Sequence, residues 1–264
     1  MQSGLYIVGT PIGNLGDFSP RAIQTLQDAD LIVCEDTRVF GKLAEKFDIK
    51  TKKISAEEHS EAGRVGDILE KIENGAAVAL VSDSGMPAIS DPGFRIIRAA
   101  RDAIAPVFVV PGPTAAVSAL VLSGFPTDRF SFCGFLPHNP ENTLRNDNRI
   151  RHTIIYYDSP NRIMNTISCL ARIMPERRIA IVREITKIHE ETIIGYPADL
   201  LGIAPPRGEL VLVVGPAPEI KLSDAEISEI VNDVAASGTK SAAAQIAARS
   251  GISKKEAYKR ALSK

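Results

Sequence analysis

The first half of the chain alternates short apolar runs with segments of helical periodicity. The apolar runs are continuous, which is typical of strands in a parallel sheet that is covered on both faces. Ser19 before Pro20 predicts a helix start, and Gly75 predicts a helix end. The predicted strands are 5–9, 31–34, 76–82 and 106–110, and the predicted helices are 19–29, 60–75, 93–103 and 114–124. This pattern favours an α/β fold whose parallel strands are joined by right-handed crossovers.

Beyond Gly124 the pattern changes. Residues 125–150 are rich in Pro and Asn and contain one strand-like run, which is typical of a domain boundary. A second α/β pattern follows, and its later apolar runs are close enough in sequence to pair antiparallel. We therefore predict an N-terminal domain with a parallel sheet over 1–124, a second α/β domain with a mixed sheet over 125–218, and a small helical module over 219–264.

The C-terminal module combines helical periodicity with positive charge. Two short helices around Gly251, the second capped by Ser253, resemble a helix-turn-helix. From residue 238 to the end there are seven basic residues and one acidic residue, so a formal charge of +6 stands against −7 in the rest of the chain. This distribution favours docking to a polyanion, although a solvated helical face has the same composition. The candidate RNA contacts here are Lys240, Lys254, Lys255, Lys259 and Arg260.

Composition narrows the class of protein. The chain has 44% apolar and 24% charged residues, no apolar run long enough to span a membrane, and no secretion signal pattern. We therefore expect a cytoplasmic protein that does not associate with membranes. Its three cysteines and four histidines are scattered, which predicts reduced, buried thiols and no metal site. Aromatic residues make up 5% and Trp is absent, which argues against a surface that stacks several bases.

Four loops follow the four predicted strands, and in a parallel sheet they lie along one carboxyl-end rim. They are "GTPIGNLGD" (9–17), "EDTR" (35–38), "SDSGMPAISDPG" (82–93) and "PGPT" (111–114). Arg38 is their only basic residue, and they contain no G-x-G-x-x-G or G-K-[ST] phosphate motif. Each alone is compatible with an ordinary turn. Together they favour a ligand without phosphate whose centre is uncharged or cationic, a description that S-adenosyl-L-methionine meets through its sulfonium.

An ordered set of short motifs carries a family resemblance. The motifs are "TPIGNL" (10–15), "EDTR" (35–38), "SDSGMPAISDPG" (82–93), "PGPTAA" (111–116), "GFLP" (134–137), "REITK" (183–187) and "RGE" (207–209). Together they resemble the small-subunit ribosomal RNA methyltransferase I family, from about Leu5 to the C-terminus. Those enzymes methylate the ribose 2′-oxygen of a cytidine in the decoding region of 16S ribosomal RNA. They belong to the tetrapyrrole-methylase-like class of S-adenosylmethionine enzymes.

The resemblance implies two α/β domains of the tetrapyrrole-methylase type, a homodimer, and a cofactor bound between the domains. It also implies the small ribosomal subunit as partner, rather than DNA or a membrane. Matched motif by motif, the cofactor-binding residues are Pro11, Gly13, Asp83, Ser84, Gly85, Met86, Thr114, Ala115, Tyr156 and Tyr157. Ser84 and Met86 stand where the family usually has Ala and Thr. In the loop after "GFLP", Arg145 and Arg149 are the candidate RNA contacts.

Methyl transfer to a ribose hydroxyl is an in-line displacement that needs positioning and a group to take the hydroxyl proton. We predict a polar centre of Asp36, Arg38, Glu184 and Lys187. Glu35 and Glu209 are further candidates for the base, which the sequence leaves open. A base role for Lys187 requires a lowered pKa, and a phosphate-binding role is equally compatible. A structural ion pair is the alternative role for Asp36 and Arg38.

Two other functions are compatible with parts of the chain. A methylase of a tetrapyrrole or corrinoid precursor would use the same cofactor loops but leaves the basic tail without a role. A ligand-sensing helix-turn-helix regulator accounts for the tail but not for "EDTR" and "REITK" beside a ligand site.

Overall fold

The first half of the chain forms a five-stranded parallel sheet. The computed structural model describes residues 1–56, 61–218, 228, 231–233, 239–250 and 253–262. Its first elements are β1 (Gly4–Val8), a short 3-10 helix (Leu15–Asp17), α1 (Pro20–Asp28), β2 (Leu31–Cys34), α2 (Thr37–Lys46), β3 (Lys53–Ser55), α3 (Glu61–Glu73), β4 (Ala77–Leu80), α4 (Phe94–Asp102), β5 (Val107–Val110) and α5 (Ala115–Ser123). The strand order is β3-β2-β4-β1-β5, and all neighbours pair parallel.

The predicted elements are present, and the short 3-10 helix, α2 and β3 were missed. The Ser19 hydroxyl accepts a hydrogen bond from the Ala22 N–H at 3.1 Å, so α1 begins as predicted. Gly75 has φ +96°, as expected just beyond a helix end. The sequence pattern did not predict α2 or β3. β3 has only three residues, all half-buried, so it lacks the apolar run that identified the other strands.

Both faces of this sheet are covered, as the continuous apolar runs predicted. On β1, Leu5 belongs to a core with Ile68 of α3 and Ile96 of α4. Val8 instead packs in a second core with Leu26 of α1. Because successive strand side chains face opposite sides, each strand must be apolar throughout to fill both cores.

The second sheet is mixed. Its elements are β6 (Phe130–Phe135), α6 (Glu141–Asp147), β7 (Thr153–Asp158), α7 (Ile163–Ile173), β8 (Ile179–Arg183), β9 (Glu191–Gly195) and β10 (Leu210–Val214). The order is β6-β7-β10-β8-β9, with β6 and β7 parallel and the other neighbours antiparallel. The predicted antiparallel pairing is confirmed. The sequence pattern did not predict α6, which lies in the Pro- and Asn-rich segment.

The helix α5 joins the two sheets. Ala116, Ala119 and Leu120 pack in one core with Ile155 of β7 and Val213 of β10, so the last helix of the first half covers a face of the second sheet. By its contacts the chain forms two compact units, 1–216 and 217–264. The division of the first unit at residue 124 stays a prediction.

The tail unit contains the two predicted helices, α8 (Thr239–Ser250) and α9 (Lys254–Leu262). Ser253 caps α9 as predicted, since its hydroxyl accepts a hydrogen bond from the Glu256 N–H at 3.2 Å. The two helices pack against each other through apolar side chains that include the buried Ile246 and Ala257.

The three cysteines differ in exposure. Cys34 and Cys169 are buried thiols, but Cys133 is exposed, so the prediction of burial was wrong for that residue. Within the described ranges, no group of His, Cys, Asp and Glu is arranged to hold a metal ion. No helix among the described residues has both the length and the apolar character that crossing a membrane requires.

Candidate active site

The rim loops of the first sheet contact one another, as predicted. Thr10 and Gly85 exchange backbone hydrogen bonds of 2.9 and 3.2 Å, which join the first loop to the third. The Asp36 N–H donates to Asp83 Oδ1 at 3.3 Å, which joins the second loop to the third. Because parallel strands end at the same edge, four separate sequence segments build one surface.

Glycines allow the first and fourth loops to approach each other. A Cβ on Gly9 would lie 2.6 Å from the Gly112 backbone and 2.7 Å from the Met86 sulfur. The Gly112 N–H donates a hydrogen bond to that sulfur at 3.3 Å. Met86, one of the two family departures, therefore links the third loop to the fourth through its thioether.

A cavity of about 550 Å³ lies between these loops and the second sheet. It is within the size range of small-molecule sites, and most of its lining is apolar. The described lining residues are Ile12, Ser84, Gly85, Met86, Ile89, Ser90, Asp91, Thr114, Ala115, Phe135, Tyr157, Asp158, Ser159, Pro160, Val182, Ile185, Gly208, Glu209, Leu210 and Val211. None of them is Lys, Arg or His, whereas three are acidic.

Six of the predicted cofactor residues line this cavity: Ser84, Gly85, Met86, Thr114, Ala115 and Tyr157. Pro11, Gly13 and Asp83 lie in the same loops but do not line it. Tyr156, contrary to the prediction, does not line the cavity, because its side chain is fully buried in the core on the other face of β7 and its hydroxyl donates to Asp147 at 2.8 Å. Adjacent strand residues face opposite sides, so only Tyr157 faces the cavity.

Asp91 is the cavity residue that the sequence-based assignment missed most clearly. It lies within "SDSGMPAISDPG" and is half-buried. Burial, together with the nearby Glu35 and Asp83 charges, raises the pKa of Asp91 to about 6, although a hydrogen bond with Ser82 acts in the opposite direction. In a partly buried site beside other acidic groups, the ionised form of a carboxylate is stabilised by a bound cation. In the sequence, the only sign that Asp91 lies at the site was its position within this loop motif.

Asp158, also in the lining, already has its hydrogen bonds satisfied by the protein. Its carboxylate accepts from the Thr166 hydroxyl at 2.6 Å and from the Ser159 N–H at 2.8 Å, and it pairs with Arg162 at 3.3 Å. Its side chain is fully buried. Asp158 therefore holds the end of β7 to the start of α7 and shapes the cavity wall.

Three charged residues from "REITK" and "RGE" form one cluster. Lys187 Nζ lies 3.0 Å from Glu184 Oε1 and 2.8 Å from Glu209 Oε2. The Glu209 N–H also donates to Glu184 Oε1 at 3.0 Å. Glu209 lines the cavity and its side chain is 78% exposed, compared with 19% for Glu184. The two motifs, separated in sequence, thus present one accessible carboxylate beside the cavity.

The environment of Lys187 decides between its predicted roles. Partial burial acts to lower its pKa, but the hydrogen bonds to Glu209 and Glu184 outweigh it and raise the pKa above the usual value. Lys187 is therefore protonated at neutral pH, which is the opposite of the lowered pKa that the base role requires. The same contacts lower the pKa of Glu184, chiefly through its hydrogen bond from Lys187.

Asp36 and Arg38 lie apart from this cluster. The Asp36 carboxylate caps α2 by accepting from the Arg38 N–H at 2.7 Å, and it pairs with the Arg38 guanidinium at 2.7 Å. This contact lowers the Asp36 pKa to about 2. The pair lines neither the cavity nor the groove described below. In the structure, Asp36 caps the start of α2 and Arg38 pairs with it. Contact of this pair with a substrate stays a prediction.

A second, more open depression lies beside the first loop; we call it the loop groove. Its described lining is Gly13, Asn14, Leu15, Lys46, Thr186, Lys187, Ile188 and His189. Gly13 is needed here, because a Cβ would lie 2.8 Å from Lys187 Cγ and 2.9 Å from Thr186 Oγ1. The predicted cofactor residue Gly13 thus faces the loop groove rather than the cavity.

The candidate RNA contacts are dispersed. Arg145 pairs with Glu141 at 2.6 Å, and Arg149 donates to the Asn146 carbonyl at 2.7 Å. In the tail unit, Lys255 and Lys259 are exposed, and Arg260 pairs with Glu256 at 3.0 Å. The side chains of Lys240 and Lys254 lie outside the described part of the structure.

Comparisons with known proteins identify the family. Residues 4–200 match the family model described as Tetrapyrrole (Corrin/Porphyrin) Methylases. A protein of Mesorhizobium japonicum named ribosomal RNA small subunit methyltransferase I is 38% identical over 99% of this chain and 92% of its own length. The chain belongs to the ribosomal RNA small subunit methyltransferase I family. A Synechocystis relative of the same name is 43% identical over 84% of this chain and 82% of its own length.

The fold of this methyltransferase I family member is shared with solved structures. A Thermus thermophilus uroporphyrin-III C-methyltransferase, described as complexed with S-adenyl homocysteine, superposes with a TM-score of 0.54. It is 19% identical, and the match covers 80% of this chain and 97% of that one. This likeness establishes the tetrapyrrole-methylase fold that the motifs predicted.

Proposed function

We propose that the chain transfers a methyl group from S-adenosyl-L-methionine to the ribose 2′-oxygen of a cytidine in the decoding region of 16S ribosomal RNA. The observation that carries this proposal is the identity of 38–43% with proteins of that enzyme name over most of the chain. The tetrapyrrole methylases found by structure alone are about 20% identical, and that likeness extends to the fold only.

The cavity fits S-adenosylmethionine in size and in charge. About 550 Å³ accommodates a ligand of that size, and the apolar lining suits its adenine. Asp91 supplies a negative charge for a cationic group, and the described lining has no basic side chain to repel it. Gly85, Met86, Thr114 and Ala115 would hold the cofactor from the loops, and Tyr157 from the second sheet. When bound, the cofactor supplies a methyl group on a positively charged sulfur.

Glu209 is the group we assign to the proton transfer. Glu209 would accept the hydroxyl proton of the ribose as that oxygen takes the methyl group that the cofactor supplies. The proton that the carboxylate gains would match the positive charge that the cofactor loses with its methyl group, so charge is conserved. Lys187 Nζ orients Glu209 by a 2.8 Å hydrogen bond to its carboxylate. Lys187 is itself held in place by a second hydrogen bond, of 3.0 Å, to Glu184. In this scheme Lys187 and Glu184 are positioning residues.

The remaining expectations follow from the substrate. The partner is the small ribosomal subunit, and the protein acts where ribosomes are, in the cytoplasm. The homodimer that the family resemblance implies is part of this proposal. The basic tail and the arginines near α6 are proposed to contact RNA phosphates, with affinity that falls as salt rises.

Cofactor affinity is expected to depend on pH through Asp91. The pKa of Asp91 is about 6 without ligand, and a bound cation favours its ionised form. Affinity for S-adenosylmethionine should therefore fall as pH drops through 6, by roughly tenfold between pH 7 and pH 5. Isothermal titration calorimetry at half-unit pH steps measures this. S-adenosylhomocysteine, whose sulfur is neutral, should show a smaller dependence if Asp91 faces the sulfonium.

The matched variants are Asp91→Asn and Asp102→Asn. The first should bind S-adenosylmethionine roughly three- to tenfold more weakly at pH 7 and lose the pH dependence. The second removes an exposed carboxylate that pairs with Arg98 on α4 and should behave as wild type. A wild-type pH profile in Asp91→Asn would exclude Asp91 from cofactor binding.

The function itself is tested by transfer of labelled methyl to small ribosomal subunits from a strain that lacks the modification. We expect label at one ribose, which then resists base-mediated cleavage of the adjoining phosphodiester. Free ribosomal RNA and a tetrapyrrole precursor are assayed in parallel. Label in the precursor alone would move the substrate to a small molecule, and absence of cofactor binding would contradict the assignment of the cavity.

A further inference from the structure

The loop groove and the cavity are two sides of one pair of loops. Ile12 and Ile185 line the cavity, whereas the next residues, Gly13 and Thr186, line the groove. Between them, Glu209 on the cavity side is bound to Lys187 on the groove side at 2.8 Å. A polymer whose reacting unit lies beside Glu209 therefore has the loop groove directly next to it.

The two depressions differ in charge. The described cavity lining has no basic residue, but the loop groove is lined by Lys46, Lys187 and His189. Lys187 is paired with two glutamates, so this cluster carries one net negative charge. The side chains of Lys46 and His189, both exposed, make no ion pair or hydrogen bond with other described residues. The groove thus offers uncommitted donors of the kind that bind phosphate oxygens.

The loop that carries Ile188 and His189 is held rigidly. Glu184 and Thr186 adopt positive φ angles of 51° and 68°, which non-glycine residues rarely do unless their surroundings impose it. The Thr186 N–H donates to Glu190 Oε2 at 2.6 Å, and the Lys187 N–H donates to the Glu184 carbonyl at 2.9 Å. This framework presents Ile188 to solvent with 98% of its surface exposed.

A single exposed isoleucine is ordinary, but its setting here is not. Ile188 is a stiff β-branched side chain at the rim of a groove with free phosphate donors, on a strained loop next to the reacting position. Aliphatic side chains contact unstacked bases in nucleic-acid complexes. Such a contact suits a chain with no Trp and 5% aromatic residues.

We propose that the loop groove binds the single-stranded RNA segment next to the acceptor nucleotide. Lys46 and His189 hold its backbone phosphate, and Ile188 packs against the flanking base. This assignment rests on the proposed function and adds to it the path of the RNA across the protein. It gives the positive φ angles of Glu184 and Thr186 a purpose, because they fix Ile188 in position before RNA arrives.

The test compares Lys46→Ala and Ile188→Ser with wild type, using the full chain and small ribosomal subunits. Both variants should raise the KM for subunits roughly five- to tenfold. In Lys46→Ala the slope of log affinity against log salt should also become shallower by about one. Cofactor Kd and thermal stability should stay at wild-type values, because neither residue touches the cavity or a core.

Matched controls are Lys71→Ala, an exposed lysine of α3, and Ile104→Ser, an isoleucine that is 90% exposed after α4. Both should leave KM and the salt slope unchanged. Wild-type KM values in Lys46→Ala and Ile188→Ser would overturn the groove assignment, as would equal changes in the controls. Failure of the proposed function is distinguished from this, because the wild-type protein would then not methylate the subunits.

Discussion

Replacing Glu209 with glutamine is expected to lower kcat for RNA methylation by about 10²–10⁴-fold, the usual contribution of a positioned general base. The amide keeps the shape of the side chain but cannot take the hydroxyl proton. Because the effect is confined to the reacting hydroxyl, the Kd for S-adenosylmethionine should change by no more than a few-fold. Single-turnover methyl transfer measures the chemical step, and calorimetry measures the binding.

Glu176→Gln is the matched control, because Glu176 is an exposed glutamate after α7 that lines neither depression. It should react at the wild-type rate. Lys187→Ala should lower the rate of methyl transfer, because the carboxylate of Glu209 is then no longer held in position. A wild-type rate in that variant would show that Lys187 does not position Glu209. Near wild-type turnover in Glu209→Gln would assign the proton to another group.

The second large effect concerns the stability of the second sheet. Arg177 is 2% exposed, and its guanidinium donates to three carbonyl oxygens: Gly215 at 2.7 Å, Ile150 at 2.8 Å and His152 at 2.8 Å. Burial lowers its pKa to about 10, so it stays charged at neutral pH. Arg177→Met removes all three bonds, and we expect a loss of about 3–5 kcal/mol in the free energy of unfolding.

Differential scanning calorimetry of the full chain checks this, with an expected fall in Tm of roughly 10 °C. Arg172→Ala is the control, since Arg172 is half exposed and its pair with Glu141 is a surface contact. That variant should change the free energy of unfolding by less than about 1 kcal/mol. Equal effects of the two variants would mean that the carbonyl bonds of Arg177 add little to stability.

The two tyrosines of β7 illustrate a limit of sequence analysis. A strand alternates its side chains between faces, so "YY" must place one ring on each side. Which one faces the cavity depends on the register of β7 against β10, where Tyr157 pairs with Val211 and Tyr156 with Leu212. That register is a tertiary property, and the motif resemblance alone carried both residues over.

The state of Lys187 illustrates another limit. Its pKa depends on Glu184, three residues away, and on Glu209, which is 22 residues away in sequence. Only the pairing of β8 with β10 brings Glu209 beside Lys187. Without that pairing, the contact with Glu209 could not be seen, so the sequence did not give the direction of the pKa shift.

The sequence by itself determined the strands of both sheets except β3, most helices and the single rim of the four loops. These depend on local periodicity, on caps such as Ser19, and on the rule that parallel strands end at one edge. The tertiary structure alone decided which side chains face the cavity, how α5 covers the second sheet, and how Glu209, Lys187 and Ile188 lie beside the cavity and the loop groove. Those features arise from contacts between residues far apart in the chain, and no local pattern encodes such contacts.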